Sequence, residues 1–549
     1  WLPDSSGMIV VSKSTEAGEQ EARDAEKNGG KQDEKSDVRR ITHIRYRFDG
    51  MGYLDHKAEN LWRVSVADGA AKQLTTVDAQ NQDPVVSPDG QWIAFVSDRT
   101  DDREVHPASE IWVVGVDGRN ERCLFGGELS NIESPSWSPD SQSVAAVGNR
   151  LGNRSGVHVH AWLLPLDGSE PKNLTEGYDR SISDAGMSDV YASSVTRLNW
   201  APDGSGLYAP IADSGSTNVQ RIDTATGEVS AVTRGARRIS AMSLSADGTQ
   251  IAYVSGHATN PGDLYIANAD GSGERQLTTA NADFLDGISL SEPEEFTVKS
   301  QSGDRDIHGW VLKPPSFDPS KKYPLILQIH GGPAGMYSNA MMHEFQLMAA
   351  RGYVVVYSNP RGSSGYGEDF LSCNRANWGE GDMPDVMAAF EHIAEQDYID
   401  QNRLGVTGGS YGGYLTLWIV GHTDRFHAAV TQRCVSNFYS FYGTSDIGFT
   451  FGEDQFGGLP WSDRDLLMKH SPITYVDKMV TPLLIVHSEE DWRCPIEQGE
   501  QVFVSLKRLG RDVEMVRFSG EGHNLSRTGK PENRKSRLEA IIGWFDSHL

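Results

Sequence analysis

The stretch Leu404-Gly-Val-Thr-Gly-Gly-Ser410-Tyr-Gly-Gly413, continuing Tyr414-Leu-Thr-Leu-Trp-Ile-Val420, decides the reading of the second half of the chain. An apolar run, Leu404 to Thr407, predicts a short buried strand, and Tyr411 to Val420 predicts a helix. Between them Gly408-Gly-Ser410-Tyr-Gly412 matches G-x-S-x-G, a motif that carries meaning in this strand–turn–helix context. There the serine occupies a tight turn with a strained backbone. The flanking glycines are needed because a Cβ would collide with the neighbouring strand and helix. The helix start then aims free N–H groups at developing negative charge.

Outward from this turn, short apolar strands alternate with longer helical stretches. Strands are predicted at Leu325–Ile329, Tyr353–Tyr357, Ala428–Thr431 and Leu483–Val486, and helices at Met383–Gln396, Pro495–Leu509 and Arg534–His548. Apolar runs without alternation suit a parallel sheet covered on both faces, as in an α/β-hydrolase domain. A serine hydroxyl needs a base, and the base needs an orienting acid. In this fold the order along the chain is Ser, acid, His. The turn Ser488-Glu-Glu-Asp491-Trp-Arg493 follows an apolar strand, and its three carboxylates are inseparable on spacing alone. His523, in Gly520-Glu-Gly-His523, is the candidate base. His548 reads as solvent-facing, His470 as structural, and His487 as packing or holding the acid loop. His330-Gly-Gly332-Pro333 after the strand Leu325–Ile329 reads as a loop offering a backbone N–H to an oxyanion, with Tyr411 supplying the other.

The first half follows another grammar. Trp1-Leu-Pro-Asp4, Val86-Ser-Pro-Asp89-Gly90, Trp137-Ser-Pro-Asp140, Trp200-Ala-Pro-Asp203-Gly204 and Leu244-Ser-Ala-Asp247-Gly248 repeat one phrase. Each is answered by a strand such as Asn60–Val66, Glu110–Val116, His160–Leu166, Asn218–Ile222 or Asp263–Ala267. Strand and turn recurring at roughly 40 to 60 residues is the pattern of four-stranded propeller blades, and five paired copies favour it over a β-sandwich. The chain opens inside a repeat, so an N-terminally incomplete propeller is expected, its upstream part cut away or retained as a separate N-terminal fragment. Lys13 to Arg40 is almost wholly Glu, Lys, Asp, Gln, Gly and Ser and reads as a surface loop. The expected domains are a propeller over 1–290, with about five blades, and a hydrolase domain over 291–549, with Pro314-Pro315 as the apparent linker.

At 549 residues the chain exceeds one ordinary core. A net charge of -26 argues against nucleic acid, whose phosphates need a basic patch. No apolar run reaches the ~18 residues of a membrane span, so no membrane partner is expected. The four cysteines are scattered without zinc spacing. They read as free thiols of a reducing compartment, which implies a cytoplasmic location, and no metal or cofactor is expected.

Taken together, His330-Gly-Gly-Pro333, Asn359-Pro-Arg-Gly-Ser-Ser-Gly-Tyr-Gly367, Gly408-Gly-Ser-Tyr-Gly-Gly-Tyr414, His487-Ser-Glu-Glu-Asp491-Trp-Arg493 and Gly520-Glu-Gly-His523 resemble the prolyl oligopeptidase family of serine peptidases, in its acylaminoacyl-peptidase branch. The resemblance covers nearly the whole chain. It implies a triad of Ser410, Asp491 and His523, oxyanion donors at the Gly332 and Tyr411 N–H groups, and a substrate-carbonyl anchor in Arg493, whose alternative is a surface ion pair. Ser488 departs from the family's usual glycine. The implied activity is hydrolysis of short peptides, releasing N-acylated residues. Oligopeptidase, carboxypeptidase, dipeptidyl-peptidase and esterase activities remain alternatives, and a homo-oligomer is expected. Dipeptidyl peptidases of the family anchor the substrate amine with a Glu pair on the propeller. The pairs here, Glu294-Glu295 and Glu489-Glu490, lie at the linker and the acid loop.

Overall fold

The computed structural model describes residues 1–14, 38–152, 154–190 and 196–549. Most of the predicted surface loop between Lys13 and Arg40 lies outside these residues.

Among the described residues five antiparallel strand groups follow one another in the first half, and together they form a β-propeller. The first has three strands, Gly7–Ser12, Asn60–Ser65 and Ala71–Gln73. The next two have four strands each, beginning at Asn81–Val86 and Asn131–Trp137. The last two, Asn199–Trp200 to Val229–Ala231 and Arg238–Leu244 to Arg275–Gln276, are joined by one parallel pair, Thr217 with Arg238. The repeated phrase builds the same turn each time. The Asp89 carboxylate accepts the Ser87 hydroxyl at 2.6 Å and the Gln91 N–H at 3.0 Å, and Asp140 and Asp247 do the same with Ser138 and Gln142, and with Ser245 and Thr249. An aspartate held this way mimics a backbone turn, which reverses the chain at a fixed place.

Alternation then stacks the blades. On Trp92–Ser97, Ile93 and Phe95 bury against Leu61 and Val114 on the side of the preceding sheet, while Ala94 packs with Ile111, Val113 and Ile132 on the other. Each strand thus feeds two interfaces, as period-2 geometry requires.

The second half is an eight-stranded sheet. Its strands are β1 (Glu294–Lys299), β2 (Asp306–Leu312), β3 (Tyr323–Ile329), β4 (Val354–Asn359), β5 (Ile399–Gly409), β6 (Ala428–Gln432), β7 (Leu483–Ser488) and β8 (Val513–Phe518). Their spatial order is β1-β2-β4-β3-β5-β6-β7-β8, antiparallel over the first three and parallel from β4 onward. Glu294–Lys299 and Asp306–Leu312 are therefore sheet strands ahead of Pro314-Pro315, so the proline pair is not the linker. It sits in the β2–β3 loop. The helices that matter to the site are α1 (His343–Ala350), α2 (Met383–Ala394), α3 (Tyr411–His422), α4 (Glu497–Arg508) and α5 (Pro531–His548). Every residue of α3 from Tyr411 to Gly421 is buried. Leu415, Leu417 and Ile419 each contribute ~1.5–3 kcal/mol by area, an upper bound.

The two halves are pinned together by backbone bonds, Met187 N–H to Met336 O, Ser214 N–H to Gly365 O and Asn339 N–H to Gly215 O. The Asp189 carboxylate adds a cap to α1, accepting the N–H groups of His343 and Glu344 at 2.7 and 2.8 Å.

Candidate active site

The turn of Ser410, the candidate nucleophile, lies where β5 ends and α3 begins, and its geometry follows from crowding. Ser410 has φ 62° and ψ -120°, a region a non-glycine residue enters at a cost of ~1–3 kcal/mol. Packing enforces it. A Cβ on Gly412 would stand 2.1 Å from the Ile329 carbonyl oxygen, and one on Gly408 2.6 Å from both the Ile329 and Gly412 oxygens. Gly412→Ala is therefore expected to push α3 off β3. It should destabilise the fold by about 3 kcal/mol or more, read as a lowered midpoint of denaturant unfolding.

The acid and base loops leave adjacent parallel strands, β7 and β8, and are stitched together by Glu489 N–H to Phe518 O and Glu490 N–H to Glu521 O, both 3.0 Å. This brings the side chains into line. His523 Nε2 lies 3.1 Å from Ser410 Oγ, and His523 Nδ1 lies 2.9 Å from Asp491 Oδ2 and 3.1 Å from Oδ1. Asp491 Oδ1 also accepts the Cys494 N–H at 2.7 Å. The carboxylates left open by spacing now separate. Glu489 is engaged by Arg517 and Ser519, Glu490 is exposed, and Asp491 is buried against His523.

The remaining histidines take other tasks. His487 Nε2 meets the Cys494 carbonyl at 2.7 Å and so braces the acid loop. His470 is buried with Nδ1 2.9 Å from the Trp378 carbonyl. His548 corrects the solvent-facing reading, since it stacks on Trp544 at 3.9 Å between ring centroids. One turn of α5 places the two rings on one face.

Burial, aided by the Arg433 and Arg493 guanidinium groups, holds His523 well below the usual imidazole range. Burial pushes the Asp491 carboxyl up, opposed by His487, the Cys494 N–H and Arg433. A lowered imidazole pKa leaves the neutral, proton-accepting form populated at neutral pH and lost only on acidification. The acid limb of kcat/KM is accordingly expected at a pH below the ordinary histidine value of ~6.5. An acid limb above it in a pH–rate profile would contradict the geometry.

Gly331 lies against Ser410, since a Cβ there would be 3.4 Å from Ser410 Cβ, and Gly332 has φ +135°. Tyr411 opens α3, so its N–H has no intrahelical acceptor. Its hydroxyl donates to Asp382 Oδ2 at 2.5 Å, and Asn374 donates to the same oxygen at 3.1 Å, fixing the helix start. The Asn359 to Gly367 segment supports the other side. Arg361 bonds Asp385 through Nε at 2.8 Å and through Nη2 at 2.9 Å, and the Ser363 hydroxyl sits 2.9 Å from His330 Nε2.

Arg493 is held by Asp446, Nε to Oδ1 at 2.9 Å and Nη2 to Oδ2 at 3.3 Å, and Asp446 is a buried partner rather than a surface one. Three neighbours went unseen in the sequence. Cys494 Sγ lies 3.9 Å from Ser410 Oγ, but burial raises its thiol pKa and keeps it protonated. Arg433, at φ 40°, follows the Gln432 carbonyl that accepts the Ser410 N–H. Asp49, from the propeller half, reaches the loops of both Asp491 and His523. Among the described residues no cluster of side chains has metal-ligand geometry, and no helix is long and apolar enough to cross a membrane.

Comparison with known proteins agrees with this architecture. Residues 339–549 match the prolyl oligopeptidase family, and residues 125–286 match the lipoprotein LpqB beta-propeller domain. An uncharacterized peptidase, YuxL of Bacillus subtilis, is 38% identical over 100% of this chain and 82% of its own length. Dipeptidyl-peptidase 5 of Porphyromonas gingivalis is 27% identical over 84% of this chain and 66% of its own length. The structure of Pyrococcus horikoshii acylaminoacyl peptidase superposes with a TM-score of 0.82 at 27% identity, covering 100% of this chain and 81% of that one. With a propeller, a strained serine turn and relatives of this kind, the chain belongs to the prolyl oligopeptidase family and is a serine peptidase.

Proposed function

We propose that the protein releases N-acylated amino acids from the N-termini of short peptides through an acyl-enzyme on Ser410. The observation that carries the mechanism is the aligned relay from Ser410 Oγ through His523 to Asp491. As Ser410 Oγ attacks the scissile carbonyl, its proton passes to His523 Nε2, while Asp491 holds Nδ1–H and stabilises the imidazolium. The Gly332 and Tyr411 N–H groups receive the oxyanion, each worth roughly 3 kcal/mol in the transition state. His523 then gives the proton to the leaving amine, and water repeats the sequence to free the acyl product. Arg493 keeps 30% of its side chain exposed while pinned by Asp446, which suits a fixed donor to a substrate carbonyl.

The full-length likeness to an acylaminoacyl peptidase supports the N-acyl specificity. Dipeptidyl release is the second reading, favoured by relatives named dipeptidyl-peptidase 5. Against it, Glu294 pairs with Lys313 and Glu295 bonds Asn339 on β1, and Glu489 pairs with Arg517, so neither glutamate pair stands on the propeller.

A panel of an acyl-alanine anilide, a free-amino dipeptide anilide and a short acyl ester separates the readings. We expect the acyl-alanine anilide to lead in kcat/KM by about tenfold or more. A lead by the dipeptide anilide would reassign the enzyme as a dipeptidyl peptidase, and a lead by the ester as an esterase.

A further inference from the structure

Ahead of the propeller strand Asn60–Ser65 lies a hairpin, Arg47–Phe48 paired with Gly52–Tyr53. Strands of two residues do not hold themselves in water. This hairpin is held by the hydrolase domain. Arg47 donates to the Thr444 carbonyl at 2.5 Å and lies 4.3 Å over the Trp492 ring, and the Tyr53 ring meets Trp492 edge-on at 6.2 Å. Phe48 sits 5.1 Å from the Arg493 guanidinium.

At the hairpin tip, Asp49 Oδ1 accepts two backbone N–H groups, each at 3.1 Å. One belongs to Trp492, the neighbour of Asp491, and the other to His523 itself. The Asp49 N–H in turn donates to Asp446 Oδ2 at 2.8 Å, the carboxylate that pins Arg493. A Cβ on Gly522 would stand 3.1 Å from Asp49 Oδ1, so a glycine beside the base leaves the carboxylate its room.

We propose that Asp49 is a positioning residue for the hydrolytic reaction, a clasp through which the propeller hairpin sets the acid loop, the base loop and Arg493 relative to one another. The proposal rests on reading His523 as the base. A loop bearing a catalytic base has no strand or helix to fix it, and one acceptor shared by both loops removes their independent motion. Misplacement of about 1 Å costs roughly 100-fold in rate. Asp49 also adds a charge. The groups facing the imidazole are the carboxylates of Asp491 and Asp49, the guanidinium groups of Arg433, Arg493 and Arg527, the His487 ring and the buried Cys494 thiol. Against three cations, Asp49 is the second anion available to the imidazolium formed during attack.

The test compares Asp49→Asn and Asp49→Ala with wild type in the full chain, on one anilide. Asparagine keeps the acceptor and removes the charge. We expect kcat within about threefold of wild type and an acid limb moved to lower pH. Alanine removes both, and kcat should fall about 10- to 100-fold with KM changed far less. Wild-type kcat in Asp49→Ala would overturn the clasp, and an unmoved acid limb in Asp49→Asn would overturn the role of the charge. The asparagine arm keeps the test decisive even if the alanine variant folds poorly, because it retains the acceptor and a fall in its kcat beyond about tenfold would overturn the clasp. Hydrolysis that survives Ser410→Ala would overturn the peptidase mechanism together with the clasp, whereas a wild-type-like Asp49→Ala overturns the clasp alone.

Discussion

Ser410→Ala is expected to lower kcat on a peptide anilide by about 10⁶-fold while leaving the fold intact. The reason is local. Ser410 Oγ is the atom His523 Nε2 faces at 3.1 Å, and the neighbouring Cys494 thiol is held protonated by burial. Alanine removes the nucleophile without adding volume, and it tolerates the turn no worse than serine. What remains is binding and the oxyanion donors, which sustain a residual ~10³–10⁴-fold over water. Initial rates at saturating substrate, with the unfolding midpoint as a control, check this. A loss below about 100-fold would mean that another group attacks.

Asp491→Asn should cost about 10⁴-fold in kcat, and the hydrogen bonds of this carboxylate explain why. Oδ1 of residue 491 is fixed by the Cys494 N–H at 2.7 Å, and Oδ2 faces His523 Nδ1 at 2.9 Å. An asparagine must therefore keep its oxygen toward Cys494 and turn its NH₂ toward His523. Nδ1 becomes the acceptor and Nε2 carries the proton, so the imidazole presents N–H to Ser410 where a base is required. Substrate binding is not touched, so KM should stay within about threefold while kcat falls. A proportionate rise in KM with kcat preserved would assign Asp491 to substrate binding.

The parts of this molecule that were legible in the sequence are those written in local pattern. The turn at Ser410 was readable because strand, glycines and helix sit within seventeen residues, from Leu404 to Val420. The blades were readable because every copy of the repeated phrase carries an aspartate whose carboxylate accepts the N–H two residues on. The acid was not. Glu489, Glu490 and Asp491 are consecutive, and spacing cannot say which points inward after β7. Asp49 was beyond reach for a different reason. Its partners Trp492 and His523 lie 443 and 474 residues away, and a lone Asp-Gly in a polar stretch carries no periodic signal. The linker was misread at Pro314-Pro315 because a proline pair between apolar runs looks like one, although the expected domain start at 291 already lay ahead of it. Cross-strand pairing of Glu294–Lys299 with β2, a long-range feature, places the sheet earlier.

Reaction with a fluorophosphonate, followed by peptide mapping, tests the central claim most directly. One adduct per chain is expected, on Ser410 within Gly408–Gly413, and no labelling of Ser410→Ala. An adduct on any other residue, or labelling that persists in Ser410→Ala, would contradict it.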